Sequence, residues 1–405
     1  MALSRVVAVS LAASAFFLGS GAAGAQAPLN ITPQERNALA AAQSTAAGAD
    51  RAAQDAALNA ARAVARSADA RYALGNLMFQ IGRSRGDAQM QAQGADEMVA
   101  SGVPQGADLI PLLANQAARA YTANQLERTD QLLTRMVELA PNNPAILADH
   151  AQFKARMGQR PASVALFQRA IEAQRASGQA VPQSWYQRAA ALAVEARLQP
   201  QSVLFARELV VNYPTPANWR DALLTYRSGA AVDPELTLDA GRLLRAAGGL
   251  SGERDYTEFA GVLSRANHHG EAKAVLDEGV SRGMIDTTEP AIRQLVTANT
   301  RSATTERAGL ARARTQALAA STGAAALAAG DAHFGNGQFA EAAELYRAAL
   351  QKGGADANVV NTRLGAALAM AGQRTEAEAA FRAVTGPRAD LASFWLAWLA
   401  RRPTA

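Results

Sequence analysis

The sequence predicts an all-α chain of repeated helix–turn–helix units, and three observations carry that prediction. About a quarter of the 405 residues are alanine, the best helix former, and aromatics make up 5%. Between turn signals, apolar residues recur at i, i+3, i+4 and i+7 over stretches of roughly 12 to 15 residues, with no sustained period-two alternation. The segment from Gly337 to Leu350 also aligns without a gap on the segment from Gly372 to Val384, 35 residues later. An apolar fraction of 49% argues against extensive disorder. An all-β fold is excluded, and a doubly wound α/β fold is poorly supported.

The N-terminus reads as an export signal. Met1 to Arg5 carries one positive charge, Val6 to Leu18 is apolar or small, and Ala23-Gly24-Ala25 fits the A-x-A cleavage rule. Cleavage after Ala25 leaves Gln26 first. The core is too short to span a bilayer, and an uncleaved anchor is the weaker reading. No cysteine is present, which excludes disulfides, thiol catalysis, Cys-ligated metal and lipidation of an N-terminal cysteine. The expectation is a Sec-type signal peptide over 1–25, a short linker over 26–32 and a soluble periplasmic protein with no later membrane span.

From there the helices follow in order. Thr32, Pro33 and Glu35 supply an N-cap, an N1 proline and a capping-box partner. The pairs Asn143-Pro144 and Thr215-Pro216, and Asp286 three residues before Glu289, read as later helix starts. Gly48, Gly82, Gly158, Gly270, Gly337 and Gly372 read as boundary turns. In the segment from Gly337, Ala342 and Tyr346 match Ala377 and Phe381 in the segment from Gly372, with Gly330 and Gly365 in the helices before them. Thr129 and Ser163 hold the same small position further upstream, 34 residues apart.

A glycine turn, an aromatic, Glu-Ala, a second aromatic and then Ala-Leu resembles the second half of a tetratricopeptide (TPR) repeat. The resemblance is strong over 321–390, moderate over 110–177 and weak elsewhere between 34 and 402. It implies a right-handed superhelical solenoid of helix pairs, each burying its apolar face on the next. On this reading 33–287 holds degenerate repeats, 288–320 a helical insert, 321–390 two well-matched repeats and 391–405 a C-terminal capping helix. Distant repeats then share no contacts, and unfolding is expected to be less than two-state.

Function is less legible. The formal charge is +5, and lysine occurs only at Lys154, Lys273 and Lys352. The arginines alternate with acids along helical faces, without basic runs, so nucleic acid is not an expected partner. Gly335-Asn336-Gly337-Gln338-Phe339-Ala340 matches G-x-G-x-x-A, but a helix precedes it where a dinucleotide site needs a strand. His268 and His269 are adjacent and read as a surface turn; His150 and His333 read as isolated helix-face residues. Glu341 and Glu344 read as solvated charges beside Arg347. Neither a catalytic residue, a cofactor nor a metal is expected, and the chain reads as a non-enzyme.

The resemblance implies a concave groove that binds a peptide or a partner protein. Its lining, carried over from the first helix of each repeat, would include Tyr72 and Asn76, then Asn115 and Tyr121, then Gln152 and Arg156. Further along it would include Gln187, Arg188, Arg265 and Arg363. The alternative is a peptidoglycan- or polysaccharide-binding protein, or an accessory of export machinery, so a glycan partner stays open. Near the end, Leu391, Phe394, Trp395, Trp398 and Leu399 form a broad apolar face. The register favours a buried cap over a membrane or partner dock.

Overall fold

The computed structural model describes residues 30–229 and 233–401, which form twenty α-helices and two short 3-10 turns and contain no strand. The signal-peptide and cleavage expectations, Ala25 and Gln26 included, lie outside the described residues. The chain divides into two compact units, with the boundary between Val181 and Pro182.

The first unit holds α1 (Pro33–Ala46), α2 (Arg51–Val64), α3 (Ala68–Arg85), α4 (Ala88–Ser101), α5 (Ile110–Thr122), α6 (Leu126–Leu139), α7 (Pro144–Arg156) and α8 (Arg160–Ala176). Each helix packs on its neighbour in sequence. The capping box is present: the Thr32 hydroxyl accepts from Glu35 N, and the Glu35 carboxylate accepts from Thr32 N at 2.9 Å. The same carboxylate accepts from the backbone N–H groups of Arg66 and Ser67, each at 2.7 Å, and so ties α1 to the start of α3. Backbones touch between α3 and α4. A Cβ on Gly75 would lie 2.7 Å from Gly94 O, and one on Gly94 would lie 2.5 Å from Gly75 O. Gly82 belongs to this seam, not to a boundary turn; α3 ends at Gly86, with φ 70°.

The second unit holds α9 (Gln183–Glu195), α10 (Gln199–Asn212), α11 (Pro216–Gly229), α12 (Pro234–Ala246), α13 (Gly252–Arg265) and α14 (His269–Ser281). It continues with α15 (Pro290–Ala319), α16 (Gly323–Gly335), α17 (Phe339–Lys352), α18 (Ala357–Met370), α19 (Arg374–Arg382) and α20 (Ala389–Leu399). The long α15 starts at Pro290, later than Asp286 suggested. The Asp286 carboxylate instead accepts from Thr288 N at 2.8 Å, forming a turn ahead of the helix.

The repeat spacing has a visible cause. Thr129, Ser163, Ser202, Ala272, Ala342 and Ala377 all have 0% exposure, because the partner helix crosses there. Four residues on, Leu133, Phe167, Ala206, Leu276, Tyr346 and Phe381 fill the interior behind them. A Cβ on Gly330 would meet the Tyr346 ring at 2.6 Å, and one on Gly365 would meet Phe381 at 2.6 Å, so those glycines make room for the aromatics. Between paired helices the chain turns through one left-handed residue: Asn124, Gly158, Arg197, Asn267, Gly337 or Gly372. The next N–H then bonds back to a carbonyl five residues earlier, as in Gln125 to Ala120 and Gln373 to Leu368, closing each helix end. Asn267 takes this place where Gly270 was expected. Gly270 lies inside α14, with Asn336 and Glu306 pressed against it.

The row of helices in the second unit returns on itself. Residues Leu236 and Leu238 to Leu244 of α12 are buried around the whole helix, as expected of an element enclosed by others. At the far end, α20 packs on α19 and also on α10. The Phe394 ring lies 6.4 Å from Trp219 and 5.9 Å from Tyr226, both on α11. Trp395 stacks on Phe381 at 5.5 Å, and Leu391, Phe394, Trp395, Trp398 and Leu399 are all buried. The expectation that distant repeats share no contacts therefore fails in this unit: residues more than 140 positions apart touch, as Arg388 and Asp239 do.

Candidate functional site

The sequence-predicted groove residues fall in different settings. In the first unit, Tyr121 and Arg156 are brought together. The Arg156 guanidinium donates to the Tyr121 hydroxyl and lies 5.4 Å from the ring centroid, and Phe153 packs edge-on against the same ring. Asn115 accepts from Arg119, whose guanidinium also clasps Asp96. Asn76 accepts from Gln80 at 3.2 Å. Tyr72 and Gln152 are half-buried, and burial raises the Tyr72 hydroxyl above its ordinary pKa.

In the second unit, Gln187, Arg188 and Arg265 are exposed. Arg363 is not: its residue is 4% exposed, and it cannot serve as a free groove cation. It belongs to a buried ionic cluster. Arg363 Nη1 donates to Asp331 Oδ2 at 2.8 Å, and its Nε donates to Asp239 Oδ1 at 3.1 Å. Arg242 Nη2 donates to Glu271 Oε2 at 2.7 Å, and its Nη1 reaches Asp239 and Asp331. Arg388 Nη1 donates to Asp239 Oδ2 at 2.6 Å, and the Tyr346 hydroxyl donates to Asp331 Oδ1 at 2.8 Å. Three guanidiniums and three carboxylates thus balance inside the unit and join α12, α14, α16, α18 and the entry to α20.

Burial alone would push the Asp331 carboxyl up, but the adjacent Arg363 and Arg242 outweigh it and hold the pKa below the usual range. Burial, with Asp331 beside it, pushes the Tyr346 hydroxyl well above its usual value. Losing one partner from such a cluster leaves an uncompensated buried charge, at a cost of about 3–5 kcal/mol.

Beside the cluster opens a cavity of about 570 Å³. Arg242, Glu271, Phe334 and Trp395 connect it to the interior, and the Arg242 guanidinium lies 4.6 Å from the Phe334 ring centroid. Its other walls are strongly charged. Glu278 accepts from Arg245 at 2.7 Å and lies 3.3 Å from Arg282, while Lys273 pairs with Asp277. Arg307, on α15, is exposed and has no hydrogen bond or ion pair among the described residues. Phe339 and the exposed Met370 supply apolar surface.

The remaining polar candidates settle as follows. His150 is buried, with Nε2 2.9 Å from Asp130, so it is not isolated. His268 stands half-buried at the N-cap position of α14, where its side chain makes no capping hydrogen bond, and burial lowers its pKa. His333 is buried, and neither ring nitrogen has a partner among the described residues. Glu344 pairs with Arg314 and Arg347 with Glu376, each across to another helix, which replaces the local Glu341–Glu344–Arg347 arrangement. Among the described residues, no group of His, Asp and Glu is placed to hold a metal, and no helix is long and apolar enough to cross a membrane.

Sequence reading missed Asp239, Arg242, Asp331, Arg388 and the cavity wall. One signal was present: Asp331 and Arg363 are lone charges in otherwise apolar, alanine-rich helices, and a charge placed so is buried only with a partner.

The chain is thus an all-α protein of sequentially paired helices, consistent with a TPR-like helical repeat. No family model matches it, and no curated protein matches it. Among solved structures it is similar to one of Naa15/Naa10 bound to HypK-THB, with a TM-score of 0.31 and 12% identity, covering 77% of this chain and 58% of that one. The chain therefore spans less than two thirds of that neighbour, and a likeness at this score carries no functional argument.

Proposed function

We propose that this chain is a non-catalytic protein-interaction scaffold, exported by its N-terminal segment to the periplasm, that binds a peptide or partner protein. The observation that carries the reading is the charged cavity of the second unit, set in a frame of packed helix pairs. Its carboxylates are matched to cations, as on a recognition surface, and its aromatic and methionine side chains add apolar contact. The export reading rests on the sequence of residues 1–25. Protein is favoured over glycan because the walls are dominated by full charges and not by neutral hydrogen-bonding side chains.

Partner capture from cell-envelope extract, with and without cell-wall digestion, tests this. Each captured protein would then be titrated against the purified chain by calorimetry. Saturable binding of at least one protein, insensitive to cell-wall digestion, is expected. Retention of glycan alone would overturn the scaffold reading.

A further inference from the structure

The cavity of the second unit carries a charge excess that its own side chains do not neutralise. Outside the balanced cluster, four cationic side chains, Arg245, Lys273, Arg282 and Arg307, line it against two carboxylates, Asp277 and Glu278. Glu278 is shared between Arg245 and Arg282, and Arg307 has no partner among the described residues. Arg307 and Arg282 come from different elements, α15 and the residue just after α14, so two cationic heads reach one opening from separate supports. Met370, one of only six large hydrophobic side chains exposed among the described residues, lines the same cavity as Phe339.

We propose that this cavity binds a short acidic peptide segment that also carries an aromatic or large aliphatic side chain. The inference rests on the scaffold reading and names the chemistry of the partner. The carboxylates would meet Arg307 and Arg282, and the apolar side chain would cover Met370 and Phe339. About 570 Å³ falls within the range of pockets that hold a compact ligand, and accommodates roughly three or four residues. At the start of α14 the N–H groups of His269 and Gly270 already donate to Glu306, at 2.9 and 3.0 Å, so at that helix N-terminus the amide donors a phosphate would use are taken and the side-chain cations remain to meet a carboxylate. Charge complementarity of this kind acts on partner choice and association rate and weakens with salt.

The test uses the full mature chain and the peptide fluorescein-Gly-Glu-Phe-Glu-Glu-amide, labelled at its N-terminus with Gly as a linker, read by fluorescence anisotropy. Its lysine counterpart and inorganic phosphate serve as competitors. The acidic peptide should bind, and binding should weaken severalfold between about 50 and about 300 mM salt. Arg307→Glu should weaken it at least tenfold. Because that side chain is exposed and unpaired, helicity and melting temperature should stay at the wild-type values. Arg254→Glu, at an exposed site on α13 outside the cavity, should leave binding unchanged.

Equal binding of the lysine peptide, displacement by phosphate at equal concentration, or full binding by Arg307→Glu would each overturn the proposal. So would absence of binding. A captured envelope protein that binds wild type and Arg307→Glu equally would also overturn it, while leaving the scaffold reading in place. If no protein is captured at all, the scaffold reading falls, and the inference that rests on it falls with it.

Discussion

Two carboxyl groups of the first unit are pulled in opposite directions by their surroundings. Hydrogen bonds from the Ser67, Arg66 and Thr32 backbone hold Glu35 down at about 2, against an ordinary 4.5. Its stabilisation is fully present above the unfolded value and is lost as pH falls from there toward 2. Glu35→Gln should therefore lower stability at pH 7 by about 1–3 kcal/mol, because three backbone N–H donors lose a charged acceptor. The gap to wild type should close below pH 3 in urea melts; a gap independent of pH would contradict the assigned role. Burial instead pushes Asp149 up to about 6, from an ordinary 3.8. The folded state then prefers the protonated form, and stability is lost as pH rises from near 4 through 6. Asp149→Asn should raise the melting temperature at pH 7.5 and change it little at pH 4.

Among the helices, α20 has the largest consequences. It covers Phe381 on one side through Trp395, and Trp219 and Tyr226 on the other through Phe394, while Arg388 at its entry closes on Asp239. Phe394→Ala should cost about 3–5 kcal/mol, the range for emptying a buried aromatic site. Removing residues 389–405 should abolish the melting transition of the second unit, because apolar surface is uncovered at two places at once. Trp219 and Trp395 should give blue-shifted, quencher-protected emission in the intact chain. A truncated protein as stable as the parent would show that α20 is peripheral.

For the molecule as a whole, closure changes the expected folding behaviour. An open helix row couples only nearest neighbours and can unfold piecemeal. The second unit joins its first helices to its last, and its ionic cluster joins five elements, so its parts cannot separate independently. Residues 182–405 expressed alone should fold and unfold in one cooperative transition, with coincident circular dichroism and tryptophan curves in urea. Separate midpoints for the two probes would argue that the contacts between distant helices are weak.

What the sequence determined by itself was local and periodic. Alanine content, capping residues and the recurrence of Ala342 and Ala377 with Tyr346 and Phe381 were enough to specify helices, their pairing and their turns, because these depend on neighbours within about 35 residues. The turn at Asn267 and the seam at Gly75, Gly82 and Gly94 were misread or missed, since glycine signals both a turn and a close approach and the letter does not say which. Only the tertiary structure decided that Arg363 is a buried partner of Asp331 and Asp239 and not a groove cation. It alone brought Arg282, Arg307 and Met370 to one opening. Those meetings join residues from about 25 to about 125 positions apart, and no local pattern encodes them. They follow from the packing of whole helices, in which each charge takes the partner that the closed unit leaves beside it.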